Sequence, residues 1–190
     1  MRNMTIETVT DGNIEPCREL CNELMAFQQS QAKLAPEAFD WMNFDTRMKK
    51  SFEHARASHV IVAKDNGVPV GYAFSTVDVI DASKRKFPVW APIQDPENSL
   101  GFYPDWDHLP ATMGCLNNLY IRDGYRDLGL GSQLFSMSMD WLESLPDVEL
   151  IMIYVSNGND AAMNFYLSRG FTFSHHVFDG FIHALYKWKK

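Results

Sequence analysis

The sequence lacks any apolar run of the roughly 20 residues that a membrane helix needs, and residues 1–10 carry no apolar core of a secretory signal. Cysteine is also scarce. Cys17, Cys21 and Cys115 cannot all pair within one chain, which indicates a reducing compartment. These absences predict a cytoplasmic protein without membrane association. No histidine near Cys17 and Cys21 completes a metal site, so we expect both thiols to pack in the core and predict no metal.

Positive charge is in deficit as well. The 17 lysines and arginines are outnumbered by 24 acidic residues, which gives a formal net charge of −7. A nucleic-acid-binding protein usually shows a basic patch, and the only dense basic cluster here, at residues 187–190, fits a solvated strand end. We therefore expect no nucleic-acid partner. The acidic balance favours cationic small molecules, such as amines, through the general field of the protein.

The length and composition favour one globular unit. The chain has 190 residues, of which 46% are hydrophobic, enough for one sizeable core and short for two ordinary domains. We predict a single domain over residues 1–190 with a proline-rich insertion at about 81–110. Its five prolines exclude a long helix or a central strand, and its tryptophans argue against simple disorder. A loop of this length inside a compact domain is usually functional.

Hydrophobic periodicity predicts an alternating order of strands and helices. Asp65-Asn66-Gly67 predicts a hairpin turn, because asparagine and glycine tolerate positive φ. In the strand that follows, Val70, Tyr72 and Phe74 are predicted to share a face. The predicted strands are residues 4–9, 59–64, 68–80, 115–121, 148–155, 171–178 and 181–188, and the predicted helical stretches are 14–27, 36–48, 130–145 and 159–170.

One strand-to-helix loop has the composition of an anion site. Consecutive backbone N–H groups in such a loop can point at one anion, and the helix dipole favours negative charge there. Gly129 and Gly131 would let a phosphate approach the backbone, and Arg126 adds positive charge. A P-loop would need a lysine after its last glycine, and a dinucleotide fingerprint would need a third glycine where Leu134 stands. An ordinary strand-to-helix turn is the alternative.

A second motif follows downstream, and together the two resemble the GNAT superfamily of N-acetyltransferases. The loop matches the pattern Arg/Gln-x-x-Gly-x-Gly/Ala, and the second motif matches Asn-x-x-Ala-x-x-Phe-Tyr-x-x-x-Gly-Phe. The matching residues are Arg126, Gly129 and Gly131 in the first and Asn159, Ala162, Phe165, Tyr166, Gly170 and Phe171 in the second. The resemblance spans roughly residues 115–171.

The resemblance implies an α/β (α+β) acyl-CoA N-acyltransferase fold. Its mixed, mostly antiparallel sheet of six to seven strands is flanked by about four helices and splays between the fourth and fifth strands. Acetyl-CoA, as acyl-donor co-substrate, would lie in that splay. Backbone groups of Leu119 and Ile121 would pair with the pantetheine, Asn159 would bind its arm, and Ala162 and Phe165 would wall its tunnel. The implied cofactor-binding set is Leu119, Tyr120, Ile121, Arg126, Asp127, Leu128, Gly129, Leu130, Gly131, Ser132, Asn159, Ala162, Phe165 and Tyr166.

Catalysis would then depend on Tyr166, because the tyrosine at this motif position is commonly the general acid for the leaving thiolate in this family. A thiol with a pKa near ~8.5 and a phenol near ~10 are close enough for proton transfer, although Tyr166 could merely pack on the cofactor. Many relatives place a glutamate base on the fourth strand, but Asn117 and Asn118 stand here and neither is a base. His108, Asp105, Asp107 or ordered water could replace it.

We expect transfer of an acetyl group from acetyl-CoA to a primary amine, small or polyamine-like. The alternatives are acetylation of a peptide N-terminus or lysine, and a non-catalytic acyl-CoA-binding regulatory protein, which Asn117 favours and Tyr166 disfavours. The predicted acceptor-site residues are Asn117, Trp90, Trp106, Asp105 and Asp107, with the tryptophans as a wall and the acids drawing in a cation. A solvated loop whose tryptophans close the core is the other reading. A homodimer through the terminal strands is also expected.

Overall fold

The computed structural model describes residues 2–81, 88–89, 102–103 and 110–189. Seven strands form one sheet: β1 (Met4–Thr8), β2 (Ala57–Asp65), β3 (Val68–Ile80), β4 (Ala111–Ile121), β5 (Leu150–Ser156), β6 (Thr172–Val177) and β7 (Ile182–Trp188). Their spatial order is β1-β2-β3-β4-β5-β7-β6. Every neighbouring pair is antiparallel except β4 and β5, which are parallel.

Within the described ranges, four α-helices flank the sheet: α1 (Arg18–Gln31), α2 (Lys50–His54), α3 (Leu130–Ser144) and α4 (Asp160–Leu167). Seven strands and four helices confirm the predicted fold class. The second predicted helical stretch is divided, however, into a 3₁₀ turn and a π-helix (Phe44–Lys49) that continues into α2. Asn43 causes the division, because its side chain caps Asp45 and Thr46 and its own backbone is extended. Among the described residues, no helix is long and apolar enough to cross a membrane.

Apolar side chains cover both faces of the sheet. On one face, residues such as Leu116 and Ile153 pack against Leu134 of α3 and Tyr166 of α4. On the other, Tyr72 and its neighbours pack against α1 and the π-helix. Cys17 and Cys21 are fully buried free thiols in that second cluster, so the predicted packing role is confirmed.

The β2–β3 hairpin confirms the turn at Asn66 and Gly67, whose φ angles of 50° and 82° are both positive. The predicted facing of Val70 is wrong. Ala63 pairs with Gly71 and Lys64 with Pro69, so Val70 is an extra, bulged residue. A bulge reverses the alternation of side chains. Val70 therefore packs in the cluster that contains Leu134 of α3 (the α3 cluster), while Tyr72 and Phe74 face α1.

The β4–β5 pair is short and then opens. It runs only from Met113 opposite Leu150 to Leu116 opposite Ile153. A second bulge follows at once, because Ser75 of β3 pairs with Leu116 and Phe74 with Asn118. Asn117 is the bulged residue, and β4 continues beyond it without contacting β5 in the ladder. This divergence is the splay that the resemblance implies.

The histidine of β2 makes folding stability depend on pH. The His59 ring stacks on Trp141 at a centroid distance of 5.0 Å, its buried Nδ1 has no hydrogen-bond partner among the described residues, and burial lowers its pKa. The unfolded chain therefore binds a proton more readily, and the contribution of His59 to stability is lost as pH falls below about 6.5. We expect Tm to fall between about pH 7.5 and 5.5, and to fall less in His59→Phe, which keeps the stack. Equal pH dependence in a thermal melt would contradict this role.

Candidate active site

The loop between β4 and α3 has the geometry of an anion-binding nest. Asp127 and Gly129 adopt positive φ angles of 62° and 77° on either side of Leu128. The first hydrogen bond of α3 runs from the Gln133 amide to the Gly129 carbonyl at 3.1 Å, so the amides from residue 130 to 132 precede the helical ladder. A Cβ built on Gly131 would meet no atom within 4 Å. Donors and open space thus coincide at this helix end, as a phosphate requires.

Two arginines approach this loop differently. Arg126, the predicted cation, donates through Nε to the Ile121 carbonyl at 3.1 Å and pairs with Asp123 at 2.9 Å. Arg169 was not predicted, yet its Nη2 donates to Ser132 Oγ at 2.8 Å while its guanidinium lies 3.4 Å from the centre of the Phe165 ring. Its position just before the second motif's glycine was the available signal. The structure therefore adds a second positive charge beside the loop.

The edge of β4 beyond the opening offers backbone groups that no strand among the described residues pairs with, although the Ile121 carbonyl accepts from Arg126 Nε. The Arg122 amide donates to Val70 at 2.9 Å, on the β3 side. Backbone groups of successive strand residues point to alternate edges, so those of Ile121 and Leu119 point toward β5, where no strand pairs with them. Tyr120, between them, points its backbone to β3. The sequence-predicted pair thus faces the gap.

The second motif forms the opposite wall of the gap. Asn159 caps α4, its Oδ1 accepting from the Ala162 amide at 3.1 Å, which leaves its amide nitrogen without a partner among the described residues. Ala162 and Phe165 pack partly buried against the α3 cluster. Tyr166 is 7% exposed and contacts the ring of Phe165 at 5.2 Å between centroids. Asn159, the N-cap of α4, therefore contributes a polar group to this wall. Ala162, Phe165 and Tyr166 of α4 contribute its apolar surface.

A cavity of about 350 Å³ lies on the other face of the sheet, among α2, β3, β4 and β5. Its described lining includes Asn117, Cys115, Tyr154 and, from the proline-rich insertion, Phe102 and Tyr103. The Asn117 amide donates to Thr76 Oγ1 at 2.8 Å and the Cys115 carbonyl at 3.3 Å, which holds it at the cavity wall. The predicted acceptor residues Trp90, Trp106, Asp105 and Asp107, and the candidate base His108, lie outside the described residues.

The model of the acetyltransferase (GNAT) family matches residues 19–171. The chain belongs to this family. The match confirms the predicted family and the predicted enzyme class. A comparison with curated protein sequences gives no match.

The similarity to solved structures of GNAT fold extends over nearly the whole chain. PaiA N-acetyltransferase from Thermoplasma acidophilum, in complex with coenzyme A, is 13% identical, with a TM-score of 0.64 over 98% of this chain and 99% of that one. Arabidopsis thaliana Naa50, in complex with the bisubstrate analogue CoA-Ac-MVNAL, is 16% identical, with a TM-score of 0.56 over 97% of each chain. The ribosomal-protein-S18-alanine N-acetyltransferase from Escherichia coli is 15% identical, with a TM-score of 0.53 over 99% and 95%. At these identities the likeness establishes the fold alone.

Within this GNAT fold, burial raises the pKa values of two groups near the opening. Burial, followed by the nearby Cys115 thiol, raises the pKa of Tyr166 well above its usual value. The phenol is thus protonated at neutral pH, as a general acid must be, but the close match to a thiol pKa assumed from sequence does not hold in the resting protein. Burial also raises the pKa of Cys115 to about 12, which makes its thiol a poor nucleophile.

Among the described residues that line the cavity, His54 and Asp78 can accept a proton from an amine. His54 Nδ1 lies 2.8 Å from the Lys50 carbonyl, and since a carbonyl only accepts, Nδ1 carries the proton and Nε2 keeps its lone pair. Asp78 accepts from the Arg56 amide at 3.2 Å and lines the same cavity. The sequence did not single out either residue, because neither belongs to a motif. They come together only where α2 packs beside β3 in the folded protein.

The predicted phosphate-binding loop, residues 126–132 (the phosphate loop below), can be tested at Gly131. Gly131→Val fills the open space with a branched side chain, and we expect the Kd for CoA to rise at least about tenfold, or about 1.4 kcal/mol. No protein atom lies near the new Cβ, so folding is expected to be retained. Titration calorimetry measures the effect, with Ser136→Val on the exposed side of the same helix as the matched control. An unchanged Kd in Gly131→Val contradicts the assignment.

Proposed function

We propose that this GNAT protein transfers the acetyl group of acetyl-CoA to a primary amine that enters through the cavity beside Asn117. The observation that carries the proposal is the opening of β4 and β5 after Leu116 and Ile153. On one face it meets the phosphate loop, and on the other it meets the cavity. A donor and an acceptor can therefore reach one point from opposite sides of the sheet. Acetyl-CoA as donor agrees with the family and with the coenzyme A in the Thermoplasma structure.

The cofactor-binding residues that we propose follow the predicted set. The amides of Leu130, Gly131 and Ser132 would hold the pyrophosphate, together with Asp127, Leu128 and Gly129 of the nest. Arg169 is added to the set because it already lies at Ser132, and Arg126 stays in it as a nearby charge. Backbone groups of Leu119 and Ile121 would bind the pantetheine arm, the Ile121 carbonyl by exchanging its present bond with Arg126. The side-chain amide nitrogen of Asn159, which has no partner among the described residues, would also bind the arm, and Ala162 and Phe165 would enclose it.

Acetyl-CoA supplies an activated thioester to this site. The acceptor must attack as a neutral amine, so one proton has to leave it, and His54 or Asp78 would take that proton through ordered water. Asn117 would contact the acceptor without taking the proton, since an amide is not a base. Tyr166 would give a proton to the departing thiolate. Burial raises the pKa of its phenol, so the proton stays on Tyr166 in the free protein.

The acceptor we favour is a small primary amine, because the cavity of about 350 Å³ is small for a ligand pocket and its described lining is partly aromatic. A peptide N-terminus is the second candidate. The Arabidopsis structure holds an analogue with a peptide part, and the Escherichia coli enzyme acts on an alanine of a ribosomal protein, according to their names. Both candidates present a primary amine to the donor. Trp90, Trp106, Asp105 and Asp107 remain proposed acceptor residues, and the homodimer and cytoplasmic location stay predictions.

Thiol release from acetyl-CoA tests the proposed function. The purified protein is mixed with diamines, polyamines, an amino-acid amide and peptides with either a free N-terminus or a lysine. We expect amine-dependent thiol release with a small amine and the mass gain of one acetyl group on that amine. CoA binding without thiol release from any acceptor would favour the non-catalytic alternative instead.

A further inference from the structure

Tyr154 is the first residue of β5 beyond its parallel pairing with β4, which ends at Ile153. Its side chain lies on the cavity face of the sheet, where it packs with the Phe102 ring at 4.0 Å between centroids. Burial, and then the neighbouring Cys115 and Tyr103, raise the pKa of the Tyr154 phenol well above its usual value. The hydroxyl therefore stays protonated and lies between residues that line the acceptor cavity at the point where the two strands separate.

The Tyr154 hydroxyl is buried and has no hydrogen-bond partner among the residues that the structure describes. A buried polar group left unsatisfied costs about 1–3 kcal/mol, so native proteins rarely retain one without a use. Other described side chains share this property, including Tyr72 and Ser75, but they do not line the cavity. Among the described residues, Tyr154 alone both lines the cavity and carries a buried unsatisfied atom, which points to a ligand in the cavity that supplies the missing bond.

We propose that Tyr154 positions the acceptor, with its hydroxyl oxygen accepting a hydrogen bond from an N–H of the attacking amine. This inference rests on the proposed function and adds to it a preference for primary amines over secondary amines. When the nitrogen lone pair forms the new C–N bond, the C–S bond breaks, its electron pair leaves on sulfur, and the nitrogen must lose one proton. A primary amine has a second N–H that stays in the amide product and can remain bonded to Tyr154 throughout.

A secondary amine cannot satisfy Tyr154 in the same way. Its single N–H is the proton that must be lost, so the hydroxyl is left without its partner as the amide forms. A site that is built to bond a substrate N–H discriminates against an analogue that lacks it. Tyr154 thus makes the enzyme select primary amines over their N-methyl counterparts.

Tyr154→Phe tests the inference because it keeps the ring and removes only the unsatisfied hydroxyl. We expect Tm to be unchanged or higher and the Kd for acetyl-CoA to be unchanged. The kcat/KM for the best primary amine should fall about three- to tenfold, which corresponds to the free energy of one neutral hydrogen bond. The ratio of kcat/KM between that amine and its N-methyl derivative should fall by a similar factor. Tyr186→Phe, on the neighbouring strand β7 and outside the cavity, is the matched control and should change none of these quantities.

Two results would overturn the role of Tyr154. One is an unchanged ratio between primary and N-methyl amines in Tyr154→Phe. The other is a lower Tm with a loss of activity equal to the loss of folded protein, which would make the hydroxyl structural. Wild-type protein that turns over no amine at all would instead overturn the proposed function, and this inference with it.

Discussion

Gly158→Ala is expected to lower the free energy of unfolding by at least about 3 kcal/mol, because its added methyl group meets the closest contact found at any described glycine. Gly158 has a φ of 81°, and a Cβ at this position would lie 1.9 Å from the carbonyl oxygen of Gln31 and 2.8 Å from its carbonyl carbon. The obstacle is backbone at the end of α1, so no side chain can rotate away. Either α1 or the turn before α4 must move. Urea denaturation of the purified variant measures the loss.

Gly124→Ala is the matched control for Gly158. Gly124 has the same φ of 81°, but a Cβ there meets no atom within 4 Å. Alanine at residue 124 therefore suffers only the strain of positive φ, about 1 kcal/mol. The difference between the two variants isolates the contact with Gln31. Similar losses in both variants would show that backbone conformation, and not that contact, determines the need for glycine.

Tyr166→Phe is expected to reduce kcat about 10²-fold or more, since it removes the proposed general acid. The variant keeps the aromatic contacts, because Phe135, Phe165 and Phe171 all meet the Tyr166 ring and not its hydroxyl oxygen alone. The Kd for CoA and the Tm should therefore change little. Steady-state kinetics with the best acceptor provides the measurement.

The phenylalanine variant also separates two roles of Tyr166. Loss of kcat with an unchanged Kd for CoA supports proton donation, whereas a weaker Kd with wild-type kcat would make Tyr166 a packing residue of the cofactor wall. Tyr186→Phe again serves as the control, since that tyrosine lies on β7 away from the β4–β5 opening. A drop in kcat of the same size in the control would remove the argument for Tyr166.

The sequence by itself determined the features that depend on neighbouring residues. The Asn66-Gly67 turn follows from the tolerance of those two residues for positive φ, and the structure has both. The cap at Asn159 and the glycine end at Gly170 of the second motif are local for the same reason. The order of the seven strands and the family also followed, because periodicity and motif spacing are properties of short segments. The second helix did not, since the predicted stretch 36–48 is divided and α2 lies at Lys50–His54.

Only the tertiary structure decided the features that join distant segments. The bulges at Val70 and Asn117 depend on the register between paired strands, and the pairing of Arg169 with Ser132 joins residues 37 positions apart. Asn157 is a further example: its Oδ1 accepts from the Lys33 and Leu34 amides at 2.6 and 2.8 Å, which ties the end of α1 to the end of β5. The Tyr154 hydroxyl likewise became an unsatisfied group only when its neighbours closed around it. Apart from Val70, whose register is set by Ala63 and Lys64 across the hairpin, these positions are determined by groups more than 30 residues away, and no local pattern records them.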